Sequence, residues 1–305
     1  MLIAYAAPSK VLAAALKDLA TEEDVTDILH FYHEYFDQST ELEEEAPISD
    51  ALPNNQELND CGGDFGMEEE SKMTSVSLAL ALGYRTGVPP SFNIVRDRSG
   101  LTPWDDPKPF SSVNLDALPD NLTRLLLHWH QLAGNHSILR SVLSKVPEPF
   151  RTPGVLVADE VGLGKTAQAV AVISFFIQAI FLQQTKRKLP KIMREFLRRW
   201  SLLRADKNFI TEERPFLGDK DKIPSQPHLI VCPGTLTAQW VSELKVFLQP
   251  KSVDIFVYDA QSSGETFWGP SGPVHMSKHL PHSRIIVTNH SVSLPSQSFL
   301  PRWAD

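Results

Sequence analysis

The sequence predicts an α/β fold in which a parallel sheet is flanked by helices. Four short apolar runs, at 155–158, 229–232, 253–258 and 284–288, have the length of buried strands. Stretches with helical character lie between them, and strands that alternate with helices form a parallel sheet through crossover connections. Ligands of such sheets bind at the carboxyl ends of the strands, so the residues that follow each run are the first candidates for a site.

The first run, Val155–Ala158, is followed by a glycine-rich turn and by an apolar helix that begins at Lys165-Thr166. This order binds phosphate groups, because glycines let backbone N–H groups approach the oxygens and a helix N-terminus is partly positive. We expect Lys165 to reach the β- and γ-phosphates of a nucleotide and the Thr166 hydroxyl to hold Mg²⁺. The candidate residues are Asp159, Glu160, Val161, Gly162, Leu163, Gly164, Lys165 and Thr166.

This phosphate loop, residues 159–166, departs from the usual G-x-x-x-x-G-K-[ST] pattern at its first position, where Asp159 replaces glycine. A strand–turn–helix segment that carries Gly-Lys-Thr by chance is the alternative explanation. The strand, the glycines, Lys-Thr and the helix follow one another in the required order, and this context favours a phosphate loop.

The charge of the chain is divided unevenly along its length. The first 120 residues contain 7 Lys/Arg and 23 Asp/Glu, whereas the remaining residues contain 22 and 14. The basic part suits a polyanion such as nucleic acid, although two solvated surfaces of opposite sign explain the same numbers. No run of eighteen apolar residues occurs, so no membrane-spanning helix is expected.

The acidic part predicts an arm that is largely irregular. Residues 1–40 predict two short helices, near Ser9–Ala20 and Glu23–Phe36, with Thr21 as the N-cap of the second. Residues 41–118 predict an acidic and proline-rich linker that is mostly disordered. Such a linker is a solvated tether, a competitor for the basic part, or a docking segment for a protein partner.

From residue 119 onward the pattern is that of a folded domain. Residues 121–133 predict a helix with one apolar face, and Gln131 lies near its end, about thirty residues before the phosphate loop. A carboxamide both donates and accepts, so Gln131 is a candidate for recognising the adenine edge. Residues 183–227 form a basic insertion, for which a DNA-facing segment, a nuclear localisation signal and a solvated helix remain open.

Two further strand ends carry candidate ligands. They are Pro233, Gly234 and Thr235 after the second run, and Thr288, Asn289 and His290 at the end of the fourth. We expect Thr235 to cap a helix that continues to Phe247, and a helix N-terminus is a natural phosphate contact. An ordinary helix cap explains Thr235 equally well, and Asn289 and His290 are common in turns that bind nothing.

Four motifs resemble those of the switch/sucrose-non-fermenting type of helicase-like ATPases, the double-stranded-DNA translocases of chromatin remodelling and repair in helicase superfamily two. They are His130-Gln131-x-x-Gly134, Ala158–Thr166, His228–Leu236 with Trp240 and Glu243, and Ile285–His290. The resemblance covers about residues 120–305, and nothing before residue 120 contributes to it. In this family Asp is the usual residue at the position of Asp159.

The resemblance implies an incomplete RecA-like phosphate-loop lobe over residues 119–305. It implies ATP and Mg²⁺ as cofactors, with Gln131 recognising adenine, and double-stranded DNA or chromatin as the partner. The expected contacts with the DNA backbone are Pro233, Gly234, Thr235, Thr288, Asn289 and His290. A nuclear location without a membrane is the corresponding expectation.

The family's first lobe continues into a DEAH-type box that binds Mg²⁺ and activates water, and a second lobe supplies arginine fingers. The 305 residues contain no Asp-Glu-x-His. We therefore expect a chain truncated before this box, which binds ATP weakly and hydrolyses it negligibly. The alternative is a catalytically inactive protein that binds nucleotide, DNA or a partner. A small-molecule kinase leaves Gln131 and the two later strand ends unexplained.

Overall fold

The structure is a computed structural model, and it describes residues 17–37, 67–111, 113–143, 154–160, 162–194, 223–259 and 264–290. The chain divides into two compact units. The first contains Met1–Asp37, Val95–Thr123 and Ser225–Asp305, and the second contains Gln38–Ile94 and Arg124–Pro224.

Helices and strands alternate along the described residues. The helices are α1 (Glu22–Asp37), α2 (Ser75–Leu82), α3 (Trp129–Leu143), α4 (Lys165–Gln184), α5 (Thr237–Phe247), α6 (Gly264–Trp268) and α7 (Pro273–Met276). The strands are β1 (Val95–Asp97), β2 (Leu122–Arg124), β3 (His228–Cys232), β4 (Asp254–Tyr258) and β5 (Arg284–Asn289). Single 3₁₀ turns occur at Glu70–Lys72, Lys108–Phe110, Gly234–Leu236 and Pro281–Ser283.

The first unit is built on a parallel sheet of three strands in the order β3-β5-β4. The central strand β5 pairs with both neighbours in parallel and is buried from Ile285 to Thr288. Helix α5 connects β3 to β4, and the short helices α6 and α7 connect β4 to β5. Parallel neighbours require such crossovers. The prediction of an α/β fold with a parallel sheet flanked by helices is therefore confirmed.

One face of this sheet carries an aromatic core. Phe256 and Tyr258 of β4 pack with Phe267 of α6 and Val274 of α7, and Ile286 of β5 completes the cluster. The rings of Tyr258 and Phe267 lie 4.8 Å apart. Apolar burial of this kind is the main favourable contribution to folding, so α6 and α7 are held in place although each is short.

The N-terminal segment is attached to the first unit through a buried carboxylate. Asp254, at the start of β4, is fully buried; its Oδ1 accepts the N–H of Ala20 at 2.9 Å and its Oδ2 accepts the Ser277 hydroxyl at 2.5 Å. Thr21, the residue after Ala20, precedes α1; its hydroxyl accepts the N–H of Asp24, and the Asp24 carboxylate accepts the N–H of Thr21. This reciprocal cap confirms Thr21 as the predicted N-cap.

Part of the predicted linker is folded where the structure describes it. Within residues 67–111 and 113–118, Glu70 is buried, and α2 buries Leu78 and Leu82. Tyr84 follows α2 and donates from its hydroxyl to the Ala171 carbonyl of α4 at 3.0 Å. The expectation of disorder is wrong for this part of the linker, because its apolar residues and Glu70 are buried. Residues 41–66, and the predicted helix at Ser9–Ala20 up to residue 16, lie outside the described residues.

Two predicted elements differ in type from those in the structure. Residues 154–160 contain no strand, and Val155 and Leu156 are 42 % and 89 % exposed. An apolar run forms a strand only with a hydrogen-bonding neighbour, and none of the described residues supplies one for Val155–Ala158. The predicted helix at 121–133 is instead strand β2 paired with β1, followed by α3 from Trp129. Gln131 therefore lies in the first turn of α3, not near its end.

Helix α4 is long and apolar. Its 20 residues satisfy the length and composition expected of a membrane span, which the sequence analysis did not anticipate. The core helices of soluble proteins meet the same criteria, and 67 % of its apolar window is buried inside the protein. Of the basic insertion 183–227, residues 195–222 lie outside the described residues.

Hydrogen bonds to the buried carboxylate of Glu70 attach the end of the acidic linker to α3. Glu70 accepts hydrogen bonds from His136 Nδ1 at 2.7 Å and from Arg140 Nε and Nη2 at 3.0 and 3.1 Å. Burial alone would raise the pKa of Glu70, but these hydrogen bonds outweigh it and hold the pKa at about 2. The carboxylate is therefore ionised near neutral pH.

We predict that Asp254→Ala lowers the free energy of unfolding by about 2–4 kcal/mol, because Ala20 N–H and Ser277 would lose a buried charged partner. The control is Asp18→Ala, since Asp18 forms a more exposed ion pair with Lys245 at 2.7 Å. This control should cost less than about 1 kcal/mol. Chemical denaturation of the chain measures both, and equal losses would contradict the anchoring role of Asp254.

We predict that Glu70 makes stability depend on acid. Its folded pKa of about 2 lies below the ordinary value of 4.5, so its contribution is complete above pH 4.5 and disappears as the pH falls towards 2. In Glu70→Gln this part of the pH dependence should be absent. Glu69→Gln is the control, because the Glu69 side chain is 61 % exposed. Denaturation curves at pH 5.5 and pH 3 measure the free energy of unfolding at each pH. An equal loss of this free energy between the two pH values in wild type and Glu70→Gln would refute the prediction.

Candidate nucleotide-binding site

The phosphate loop lies in the second unit and leads directly into α4. Gly162 and Gly164 have φ angles of +94° and +84°, a left-handed conformation that glycine adopts without steric cost. Gly164 is the N-cap residue of α4, and Lys165 is the first residue of the helix. The predicted order of turn and helix is thus present. Val161 lies outside the described residues.

The Lys165 side chain folds back over the loop. Its ammonium group donates to the carbonyl oxygens of Asp159 and Glu160, both at 2.7 Å. Thr166 is half-buried in the first turn of α4. Among the described residues, no group of three or more His, Cys, Asp or Glu side chains could hold a metal ion. Neither observation tests the Thr166 hydroxyl as a Mg²⁺ ligand, which stays a prediction.

Gln131 contacts the phosphate loop directly, although more than thirty residues separate them. Its Nε2 donates to the Leu163 carbonyl at 3.3 Å, and its Oε1 accepts the N–H of His128 at 3.0 Å. The Nε2 of His130 also donates to the Leu163 carbonyl, at 3.0 Å. A Cβ atom at Gly164 would collide with Gln131 Nε2. Glycine at position 164 thus permits both the left-handed turn and the close contact with Gln131 of α3.

Gln168 is a site residue that the sequence analysis missed. It lies one turn after Lys165, is 2 % exposed, and its Nε2 donates to Asp159 Oδ2 at 2.9 Å. Across from it lies Gly134, where a Cβ atom would be 3.1 Å from Gln168 Cδ, Nε2 and Oε1. The available signal was a glutamine in an otherwise apolar helical stretch. This bond gives a physical reason for an aspartate at the first loop position.

The predicted DNA contacts lie in the first unit, at the carboxyl ends of β3 and β5. The N–H of His290 donates to the Cys232 carbonyl at 3.2 Å, and a Cβ atom at Gly234 would be 3.9 Å from the Asn289 side chain. These two strand ends therefore meet. Pro233, Gly234, Thr235 and His290 are exposed, and Asn289 is half-buried.

Two of these residues are placed differently from the expectation. Thr235 lies inside the 3₁₀ turn Gly234–Leu236 and is not the cap of α5, whose N-cap residue is Leu236. The chain closes one tight turn after Pro233 before the α-helix begins. Thr288 is buried, and its hydroxyl has no hydrogen-bond partner among the described residues. Only 1 % of the residue is exposed, and Thr288 lies in the central strand β5, so the expected phosphate contact at Thr288 does not agree with its burial.

A family model, the SNF2-related domain, matches residues 39–301, which is more than half of the chain. The chain belongs to this family. The SNF2-related family is one of helicase-like ATPases, so the resemblance of the four motifs is confirmed. The match begins at residue 39, and the expectation that nothing before residue 120 contributes is therefore wrong. No curated protein and no solved structure matches the chain significantly.

We predict that Gly164→Ala destabilises this member of the SNF2-related family more than Gly162→Ala does. Both replacements strain a left-handed φ, at a cost of about 1–2 kcal/mol. Only the Gly164 variant also drives a Cβ atom into Gln131, because nothing among the described residues lies within 4 Å of a Cβ at Gly162. Chemical denaturation measures the difference.

The double variant Gly164→Ala with Gln131→Ala identifies the cause of that difference. Removal of the glutamine side chain relieves the collision, so the double variant should lose less stability than the sum of the single variants. Additive losses would contradict the close packing of Gln131 on the loop.

Proposed function

We propose that the chain is the ATP-binding lobe of a DNA-dependent ATPase of the chromatin-remodelling or repair type, a DNA translocase. The observation that carries the proposal is the convergence of Gln131 and Lys165 on one glycine turn, in a member of the SNF2-related family. These two residue types recognise the two ends of ATP, the adenine base and the phosphates.

ATP would be held by residues from both sides of the turn. Lys165 would exchange the carbonyls of Asp159 and Glu160 for β- and γ-phosphate oxygens, and backbone N–H groups from Gly162 to Lys165 would bind the same oxygens. The Thr166 hydroxyl would hold Mg²⁺, which neutralises phosphate charge when it is bound. Gln131 would recognise adenine by exchanging one of its present partners, His128 N–H or the Leu163 carbonyl.

Double-stranded DNA or chromatin is the proposed partner. Contacts with the DNA backbone are supported by a group of residues that is exposed except for the half-buried Asn289: Pro233, Gly234, Thr235, Asn289 and His290. Phosphate oxygens accept from backbone N–H groups and polar side chains without regard to base sequence. Thr288 is buried, so it does not support these contacts. We propose a nuclear location, no membrane association, and the acidic residues before 119 as a docking segment for a protein partner.

A catalytically inactive nucleotide- or DNA-binding protein is the second candidate. The contacts of Gln131 and Lys165 with the phosphate loop favour nucleotide binding without requiring hydrolysis, and they suit this candidate equally well. Nucleotide binding is common to both candidates, and ATP hydrolysis in the presence of duplex DNA distinguishes them.

We predict that Lys165→Ala weakens binding of a fluorescent ATP analogue in the presence of Mg²⁺ by roughly 10- to 100-fold. The lost hydrogen bonds to charged phosphate oxygens are worth about 1.5–3 kcal/mol. Lys186→Ala is the control, because it removes the same charge from an exposed residue beyond the end of α4. Equal affinities for the wild type and Lys165→Ala would sink the proposed nucleotide site.

The same samples titrated with duplex DNA at several salt concentrations test the second part of the proposal. Binding should weaken as salt rises, because phosphate contacts release counterions. Complete lack of DNA binding at low salt, together with Lys165-dependent nucleotide binding, would favour the inactive nucleotide-binding candidate.

A further inference from the structure

We propose that Gln168 is a positioning residue of the nucleotide site. Its amide donates a hydrogen bond to the carboxylate of Asp159 and packs on Gly134 of α3. Through these two contacts Gln168 fixes the phosphate loop against α3. The inference rests on the proposed function only in taking ATP as the ligand of this site. Its structural basis is a set of contacts within the second unit.

The first contact fixes Asp159 from two sides. Gln168 Nε2 donates to the side-chain Oδ2 at 2.9 Å, and Lys165 Nζ donates to the main-chain carbonyl at 2.7 Å. Both donors come from the first turn of α4. Hydrogen bonds to a carboxylate are stronger than those between neutral groups. A glycine at position 159 would have no side chain to accept this hydrogen bond. The aspartate therefore fixes the first position of the loop to α4.

The second contact seats the amide of Gln168 on α3. A Cβ atom at Gly134 would be equally distant, 3.1 Å, from Cδ, Nε2 and Oε1 of Gln168. Equal distances to these three atoms mean that the amide plane lies flat over Gly134. A Cβ atom at position 134 would require the amide to give by a few tenths of an ångström, and the amide is the group that donates to Asp159.

Each of the two helices contributes a glutamine that packs against a glycine at or near the other helix. Gln131 of α3 covers Gly164 at the start of α4, and Gln168 of α4 covers Gly134 of α3. Each glutamine also bonds to the phosphate loop, Gln131 through the Leu163 carbonyl and Gln168 through Asp159. The proposed adenine side and the phosphate side of the site are thereby tied together at two points.

Only one of the two polar groups of the Gln168 amide is hydrogen-bonded. Its Oε1 has no hydrogen-bond partner among the described residues although the side chain is buried. A buried acceptor without a donor is costly, whereas a leucine of similar shape would leave no unsatisfied atom. The group that justifies a polar residue here is the donor that faces Asp159.

The first test compares Gln168→Leu with Gln178→Leu. Gln178 lies on the same helix, is also buried, also has an Oε1 without a partner among the described residues, and donates to the Leu82 carbonyl at 2.9 Å. Gln168→Leu should weaken binding of a fluorescent ATP analogue with Mg²⁺ about tenfold, which corresponds to about 1.4 kcal/mol. Gln178→Leu should change the affinity by less than about twofold. Equal affinity losses in the two variants would overturn the proposal.

The second test exchanges the partners of the bond. Gln168→Glu places two carboxylates together and should weaken binding at least about tenfold, whereas Gln168→Glu with Asp159→Asn restores one amide–carboxylate bond with reversed direction. The double variant should recover to within about threefold of Asp159→Asn alone. A purely structural role for Gln168 predicts no such recovery, and its absence would refute the positioning role.

A third measurement needs no nucleotide. Amide hydrogen exchange in residues 154–164 should be faster in Gln168→Leu than in the wild type, unchanged in Gln178→Leu, and restored in the exchanged pair. If wild-type chain binds the analogue no better than Lys165→Ala, the proposed function fails, and the exchange rates still decide the role of Gln168. Unchanged exchange rates in Gln168→Leu would overturn it.

Discussion

The close approach of α3 to the phosphate loop is the constraint on which the rest of the second unit depends. A Cβ atom at Gly164 would meet the amide of Gln131, and the left-handed turn that this glycine permits starts α4 at Lys165. On the far side of α3, Glu70 bonds to His136 and Arg140 and so holds the same helix from the linker side. The loop, the helix and the end of the linker thus form one continuous set of contacts.

Buried carboxylates attach acidic segments to both units. Asp254 bonds to the N–H of Ala20 in the first unit, and Glu70 bonds to His136 and Arg140 in the second. Removing a carboxylate from water costs several kcal/mol, so each is tolerated only while its donors surround it. An apolar contact would allow the segment to slide by a residue. A carboxylate with defined donors does not, and these contacts fix where acidic segments attach.

Elements that depend on local sequence pattern could be predicted, whereas elements that depend on partners distant in the chain could not. Strands β4 and β5 lie within one residue of the predicted runs, since their apolar residues enter a sheet core. The run Val155–Ala158 gives the same signal without a paired neighbour in the described residues, and the prediction failed. Glu70 looked like part of a solvated acidic run. Its burial depends on His136 and Arg140, more than sixty residues away, and no local pattern contains them.

The same distinction applies within the site. Lys165 and Thr166 were recognisable because their chemistry depends on residues beside them in the chain, and Gln131 was recognisable by its position upstream. Asp159 was recognisable as a departure from the usual pattern but had no physical explanation. The explanation needs Gln168, which supplies the donor, and Gly134, which leaves room for that donor's amide. A side chain at the first loop position is stable only if something holds it. Positions 134, 159 and 168 therefore act as one constraint, and the loop motif extends beyond the residues that would touch phosphate.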